Sequence, residues 1–139
     1  MPARIVLNLS ARHVTWGVFR AGRLAQVTRL PNDGSAQATF LQLLASHPRR
    51  PVYVMLDVVE EDFRAETLPH VWGRARREMV ERRLAQHFRT TPYRAACRQG
   101  RVGGRRRDDQ YLFVALTSQD LLRPWLGLIA SQGTPLAGI

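Results

Sequence analysis

Residues 52–59, Val-Tyr-Val-Met-Leu-Asp-Val-Val, form a nearly continuous apolar run. A run of that length, rich in β-branched side chains, predicts a strand buried on both faces near the centre of a sheet. Such a strand needs neighbours, and the preceding residues supply them. Residues 4–8 alternate into a short apolar strand and residues 14–19 give a second. Ala21-Gly22-Arg23 reads as a hairpin turn, and residues 24–30 as a third strand completing an antiparallel meander. Pro31-Asn32-Asp33-Gly34-Ser35 is a loop, with Ser35 placed to cap a helix that carries Phe40, Leu41, Leu43 and Leu44. His47-Pro48-Arg49-Arg50-Pro51 ends that helix. The order is β-β-β-α-β, and a crossover through a helix makes the run at 52–59 parallel to the first strand.

The composition changes at Glu60-Glu61-Asp62. An extended stretch leads to Pro69, and a helix is predicted over about residues 71–88, supported by Arg74 with Glu78, Arg77 with Glu81 and Glu78 with Arg82 at helical spacing. Its apolar residues drift across two faces, more than one core contact requires. Residues 93–99 and 110–116 read as two strands around a loop whose Gly103-Gly104 permits a tight turn. Asp120 is expected to cap a last helix with Pro124 in its first turn, Leu121, Leu122, Trp125, Leu128 and Ile129 on its buried face, and Gly133 as its stop. Residues 135–139 begin another apolar strand, which suggests the front portion of a longer protein. The expected architecture is α/β (α+β): residues 1–60 with 110–139 form one subdomain, and residues 61–109 form an inserted small α+β module.

The basic residues restrict the chemistry. All 21 are arginine, which removes every mechanism that needs lysine, the P-loop and Schiff-base chemistry among them. Twelve lie between residues 74 and 107 against only Glu78 and Glu81, so this stretch carries the whole formal charge of +10. Arginine holds carboxylates bidentately, and aromatic residues stand in the same stretch. Arg74, Arg77, Arg105, Arg106 and Arg107, with Trp72 or Phe88, are therefore the candidate surface for an acidic partner or for self-association. A basic nucleic-acid-binding module is the alternative.

Other constellations are weak. Asp62, Glu66 and His70 have a metal-like spacing of four, but Pro69 disfavours a helix there and no second histidine is near, so no metal site is expected. Ser10 and His13 lack a nucleophile elbow, and Gly100-Arg101-Val102-Gly103-Gly104 lacks the Gly-Lys-Ser/Thr of a phosphate cradle. His47 and His87 read as surface or packing residues. Cys97, the single cysteine, forms no intramolecular disulfide and is expected to be a buried or half-buried thiol. Neither a signal peptide nor an apolar run of about 18 residues is present, so a cytoplasmic chain without membrane insertion of its own is expected.

The order of elements resembles the first half of an actin-fold protein (sugar kinase, Hsp70, actin), truncated before the second half. It is similar, more narrowly, to the pilus-assembly and type II secretion proteins of the PilM, MshI and GspL group, in which an insertion stands where the division protein FtsA has one. The segment from Leu68-Pro69-His70-Val71 through Arg82-Arg83-Leu84, and Phe113-Val114-Ala115-Leu116-Thr117 leading to Leu121-Leu122, carry the resemblance. It implies a cytoplasmic interaction domain whose partner is an inner-membrane assembly protein or the assembly ATPase. In the actin fold the first phosphate loop begins Asp-x-Gly and lysine is common on the second strand; Asn8, Ser10 and Thr15 hold those places here. Losing the carboxylate and the glycine removes the metal and backbone contacts to phosphate, so no catalytic residue and no cofactor are expected.

Overall fold

The computed structural model describes residues 2–139. The chain divides into two units, Met1–Val59 with Gln119–Ile139, and Glu60–Ser118. The first unit opens with β1 (Arg4–Ser10), β2 (His13–Arg20), β3 (Arg23–Pro31), α1 (Gly34–Ser46) and β4 (Val52–Asp57), the β-β-β-α-β order expected. β1 pairs antiparallel with β2, β2 with β3, and β1 parallel with β4 in the register Ile5 to Val52 through Ser10 to Asp57. The chain returns to this unit through α3 (Arg123–Ser131) and β8 (Leu136–Gly138), giving the strand order β3-β2-β1-β4-β8.

Strand alternation sends Ile5, Leu7, Leu9, Val14, Trp16 and Val18 into the core, where they meet Phe40 and Leu44 of α1 and Trp125 and Ile129 of α3. Phe40 is the centre of an aromatic stack, 5.3 Å from Trp16 and 5.6 Å from Trp125. β4 is buried on one face only. Val52 and Val54 are covered, while Tyr53 and Met55 are exposed. The continuous apolar run suggested two covered faces, and the helices supply one. The caps also differ from expectation. Asp33, not Ser35, caps α1, accepting from the backbone N–H groups of Ser35 and Ala36. Asp120 caps nothing: α3 begins at Arg123 without a side-chain cap, although Pro124 sits in its first turn and Gly133, at φ +59°, ends it.

The second unit consists of β5 (Glu61–Pro69), α2 (Gly73–His87), β6 (Arg94–Arg101) and β7 (Asp108–Leu116). Both pairings are antiparallel, and the order β5-β7-β6 makes β7 the central strand. This corrects the expected boundary at residue 110. Residues 110–116 looked like a strand of the first sheet, but they belong here because β7 is flanked by β5 and β6 along its length. Tyr111, Phe113 and Ala115 of β7, Leu68 of β5, and Leu84 and Phe88 at the end of α2 form its core.

Candidate interaction surface on the arginine-rich unit

The charge must be recounted by unit. Thirteen arginines and eight acidic residues fall in Glu60–Ser118, and eight arginines and three acidic residues in the remainder. Each unit carries the same excess of five. The segment 74–107 looked like the whole charge because Glu60, Glu61, Asp62, Glu66, Asp108 and Asp109 lie just outside it in sequence and inside the unit in space. A concentrated basic surface of the kind nucleic acid requires is correspondingly diluted.

Several of these arginines are already partnered. Arg74 meets Glu78 at 2.6 Å as the sequence spacing predicts, but Glu81 turns to Arg94 (3.1 Å) rather than to Arg77. Arg83 and His87 both reach Glu66, at 3.3 and 2.8 Å, and Arg64 reaches Asp62 at 3.2 Å. Asp62 and Glu66 on β5 and His70 just past its end, spaced four apart in sequence, thus take three separate sets of partners.

The tightest constellation is one that spacing did not reveal. Asp109 on β7 is fully buried and accepts from Arg98 at 2.9 Å and from His70 Nδ1 at 2.7 Å. Arg101 lies 2.9 Å from His70 Nε2. A guanidinium can only donate, so Nε2 accepts and the ring proton sits on Nδ1, facing the carboxylate. Hydrogen bonding from Arg98, and then from His70, holds the Asp109 carboxyl at about 2, against its usual 3.8. The sequence did carry a signal. Asp109 falls in phase with Tyr111, Phe113 and Ala115, and a carboxylate in the row facing the core must find a partner.

Of the proposed partner residues, the unit places Trp72, Arg74 and the loop Arg105-Arg106-Arg107 at one end. The Arg107 carbonyl accepts from the His70 backbone N–H at 3.0 Å, and the His70 ring stands 5.8 Å from that of Trp72. Trp72 is 75% exposed and the three loop arginines are exposed. Arg77 lies one turn further along α2. Phe88 does not belong to the surface: it is 5% exposed and packs in the core, because the residue that closes the helix turns inward. Cys97, expected to be at least half buried, is exposed on the edge strand β6.

In the first unit, Asn8 and Thr15 pair across β1 and β2 beside the β1–β2 turn, which Ser10 closes. The Ser10 hydroxyl donates to the His13 carbonyl at 2.9 Å and accepts from the His13 N–H at 3.1 Å. Asn32 Nδ2 donates to the Ser10 carbonyl at 2.9 Å. A phosphate loop presents free backbone N–H groups to its ligand; here the Ser10 side chain takes the His13 donor. ATP with magnesium is therefore expected to leave the thermal unfolding midpoint unchanged. Stabilisation approaching about 2.7 kcal/mol at a hundredfold excess over a dissociation constant would contradict this.

No family model matches the chain, and no curated protein matches its sequence. Solved structures do. The cytoplasmic domain of EpsL, an inner-membrane component of the type II secretion system of Vibrio cholerae, is similar with a TM-score of 0.57 and 12% identity, covering 96% of this chain and 55% of that one. A PilM–PilN type IV pilus biogenesis complex contains a chain similar with a TM-score of 0.67 and 14% identity, covering 96% of this chain and 46% of that one. The chain spans about half the length of these neighbours and shares their actin-like α/β fold, as the order of its elements led us to expect. Its structural neighbours are type II secretion and type IV pilus assembly proteins.

Proposed function

We propose that this chain is a non-catalytic docking part of a type IV pilus or type II secretion assembly platform, acting at the cytoplasmic face of the inner membrane. The observation that carries the reading is the fold likeness to the EpsL cytoplasmic domain and to the PilM–PilN complex over 96% of the chain. The self-closed β1–β2 turn supports the absence of a nucleotide cycle. No helix among the described residues is long and apolar enough to cross a membrane. That partner is an inner-membrane assembly protein or the assembly ATPase, and self-association is a further role of the same surface. The unit Glu60–Ser118 is the inserted module, and its exposed end with Trp72, Arg74, Arg105, Arg106 and Arg107 is the docking surface.

Charge reversal tests this directly. Arg105, Arg106 and Arg107 are exposed on the loop between β6 and β7 and form no side-chain ion pair among the described residues, so replacing all three with glutamate leaves the fold intact. Association with the inner-membrane assembly protein or the ATPase of the same organism, measured by co-purification and by calorimetry, is expected to weaken at least tenfold. Unchanged association in a folded variant places the docking surface elsewhere.

A further inference from the structure

Beside α2, the second unit contains an open groove of about 850 Å³ against the edge strand β6. Its floor is Val80, Ala85, Ala96 and Tyr111, and its rim carries Arg76, Arg77, Arg82 and Arg98. Glu78 and Glu81 also line it, but each is already paired, with Arg74 and Arg94. Arg98 is engaged by Asp109, and the Arg76 Nε–H donates to the Val71 carbonyl. Arg77 and Arg82 are exposed and make no side-chain hydrogen bond or ion pair among the described residues. The Tyr111 hydroxyl is buried and has no partner.

β6 pairs on one side only, with β7. The Leu116 N–H donates to the Tyr93 carbonyl, making that a hydrogen-bonded pair. Antiparallel alternation then turns the backbone groups of Ala95 and Cys97 toward β7 and those of Arg94, Ala96 and Arg98 outward, to the free edge. The register shift between Arg98 and Gly100 ends the regular edge, leaving Arg94–Arg98 as a short template. A strand added there would send alternate side chains toward α2, over an apolar floor and under unpaired guanidinium groups.

We propose that the free edge of β6 and the α2 groove bind an acidic segment of a partner protein in extended conformation. Backbone bonds to Arg94, Ala96 and Arg98 hold the strand, and carboxylates at every second position meet Arg77 and Arg82. The inference goes beyond the docking end proposed above: it assigns a separate surface of the same unit and names the chemistry of its occupant.

The probe is a fluorescein-labelled peptide of alternating glutamate and valine, titrated by anisotropy at about 0.15 M salt. It is expected to bind saturably, and the peptide with glutamine for glutamate at least tenfold more weakly. R77E/R82E, two exposed substitutions, is expected to reduce affinity at least tenfold. Ala96→Pro removes an outward N–H but no ladder bond, as an edge strand tolerates, and is expected to abolish strand addition with the charges intact. Equal affinity for the two peptides, or unchanged affinity in R77E/R82E, would overturn the proposal; the edge arginines would then only guard β6 against aggregation. So would a single-stranded oligonucleotide of equal charge binding as tightly as the peptide. No secretion or pilus component is in the titration, so failure of the assembly reading alone leaves its outcome unaffected.

Discussion

Asp109→Asn should destabilise the second unit severely at neutral pH and hardly at all near pH 2. At neutral pH the carboxylate sits fully buried against Arg98 and His70, with Arg101 behind the imidazole. An amide there keeps the shape but not the charge, and leaves Arg98, and Arg101 at 4.0 Å, without their counterion. The sign of the pH dependence follows from the direction of the shift. The folded-state pKa of Asp109 is depressed from 3.8 to about 2, so its contribution is fully present above 3.8 and is lost as pH falls through about 2. The stability difference between wild type and variant, from urea unfolding followed by tyrosine fluorescence, should therefore be constant from pH 5 to 7. It should shrink below pH 4 and close near 2. Arg98→Met removes the largest cause of the depression, and the acid transition of that variant should move to higher pH. A difference that does not change with pH would mean that the variant loses something other than the ionised carboxylate.

What was legible in the sequence, and what was not, divides along one physical line. The β-β-β-α-β order could be read because local chemistry marks each junction: Ala21-Gly22 takes positive φ at both residues, and Pro48 and Pro51 bound the end of α1. Whatever depended on which element covers which face could not be read. Residues 52–59 look buried on both sides, yet the helices pack on one, and Tyr53 and Met55 stay exposed. Residues 110–116 look equally at home in either sheet, since alternation sets the face of a strand and not its neighbours. Phe88 looked available because the apolar residues of α2 drift from one face to a second that carries Val80, Leu84 and Phe88, but it closes the helix and folds inward with Leu84. The charge stretch misled for the same reason: the balancing acids are neighbours only after β5 and β7 pair, Leu68 opposite Asp109. Of the candidate surface, the loop arginines could be found from sequence, because exposure at a glycine-rich hairpin tip is a local property; Trp72, just before α2, could not be told from Phe88. The α2 groove required the register of β6.

Trp125→Ala should cost the first unit about 3–5 kcal/mol, the range for truncating a buried aromatic. Trp125 is 1% exposed, lies edge-on to Phe40, and donates its Nε1–H to Asn32 Oδ1 at 3.2 Å. Asn32 uses its other arm to hold the Ser10 carbonyl at 2.9 Å, so one side chain ties α3 to the closed β1–β2 turn. Deleting the indole opens a cavity under Phe40 and also leaves the Asn32 carbonyl oxygen without its donor. Trp125→Phe separates the two effects, because it keeps much of the apolar volume and loses the N–H; it should cost about 1–2 kcal/mol. Asn32→Ala removes the same bond from the other side together with the hold on Ser10. In a double-mutant cycle with Trp125→Phe the two losses should be less than additive by about 1 kcal/mol, since the shared hydrogen bond can be lost only once. Thermal unfolding followed by tryptophan fluorescence reads the Asn32→Ala variant, with circular dichroism for the others. For a unit of this size a loss of 3 kcal/mol lowers the midpoint by more than about 12 °C. A midpoint unmoved in Trp125→Ala would mean that α3 does not close the core of this sheet.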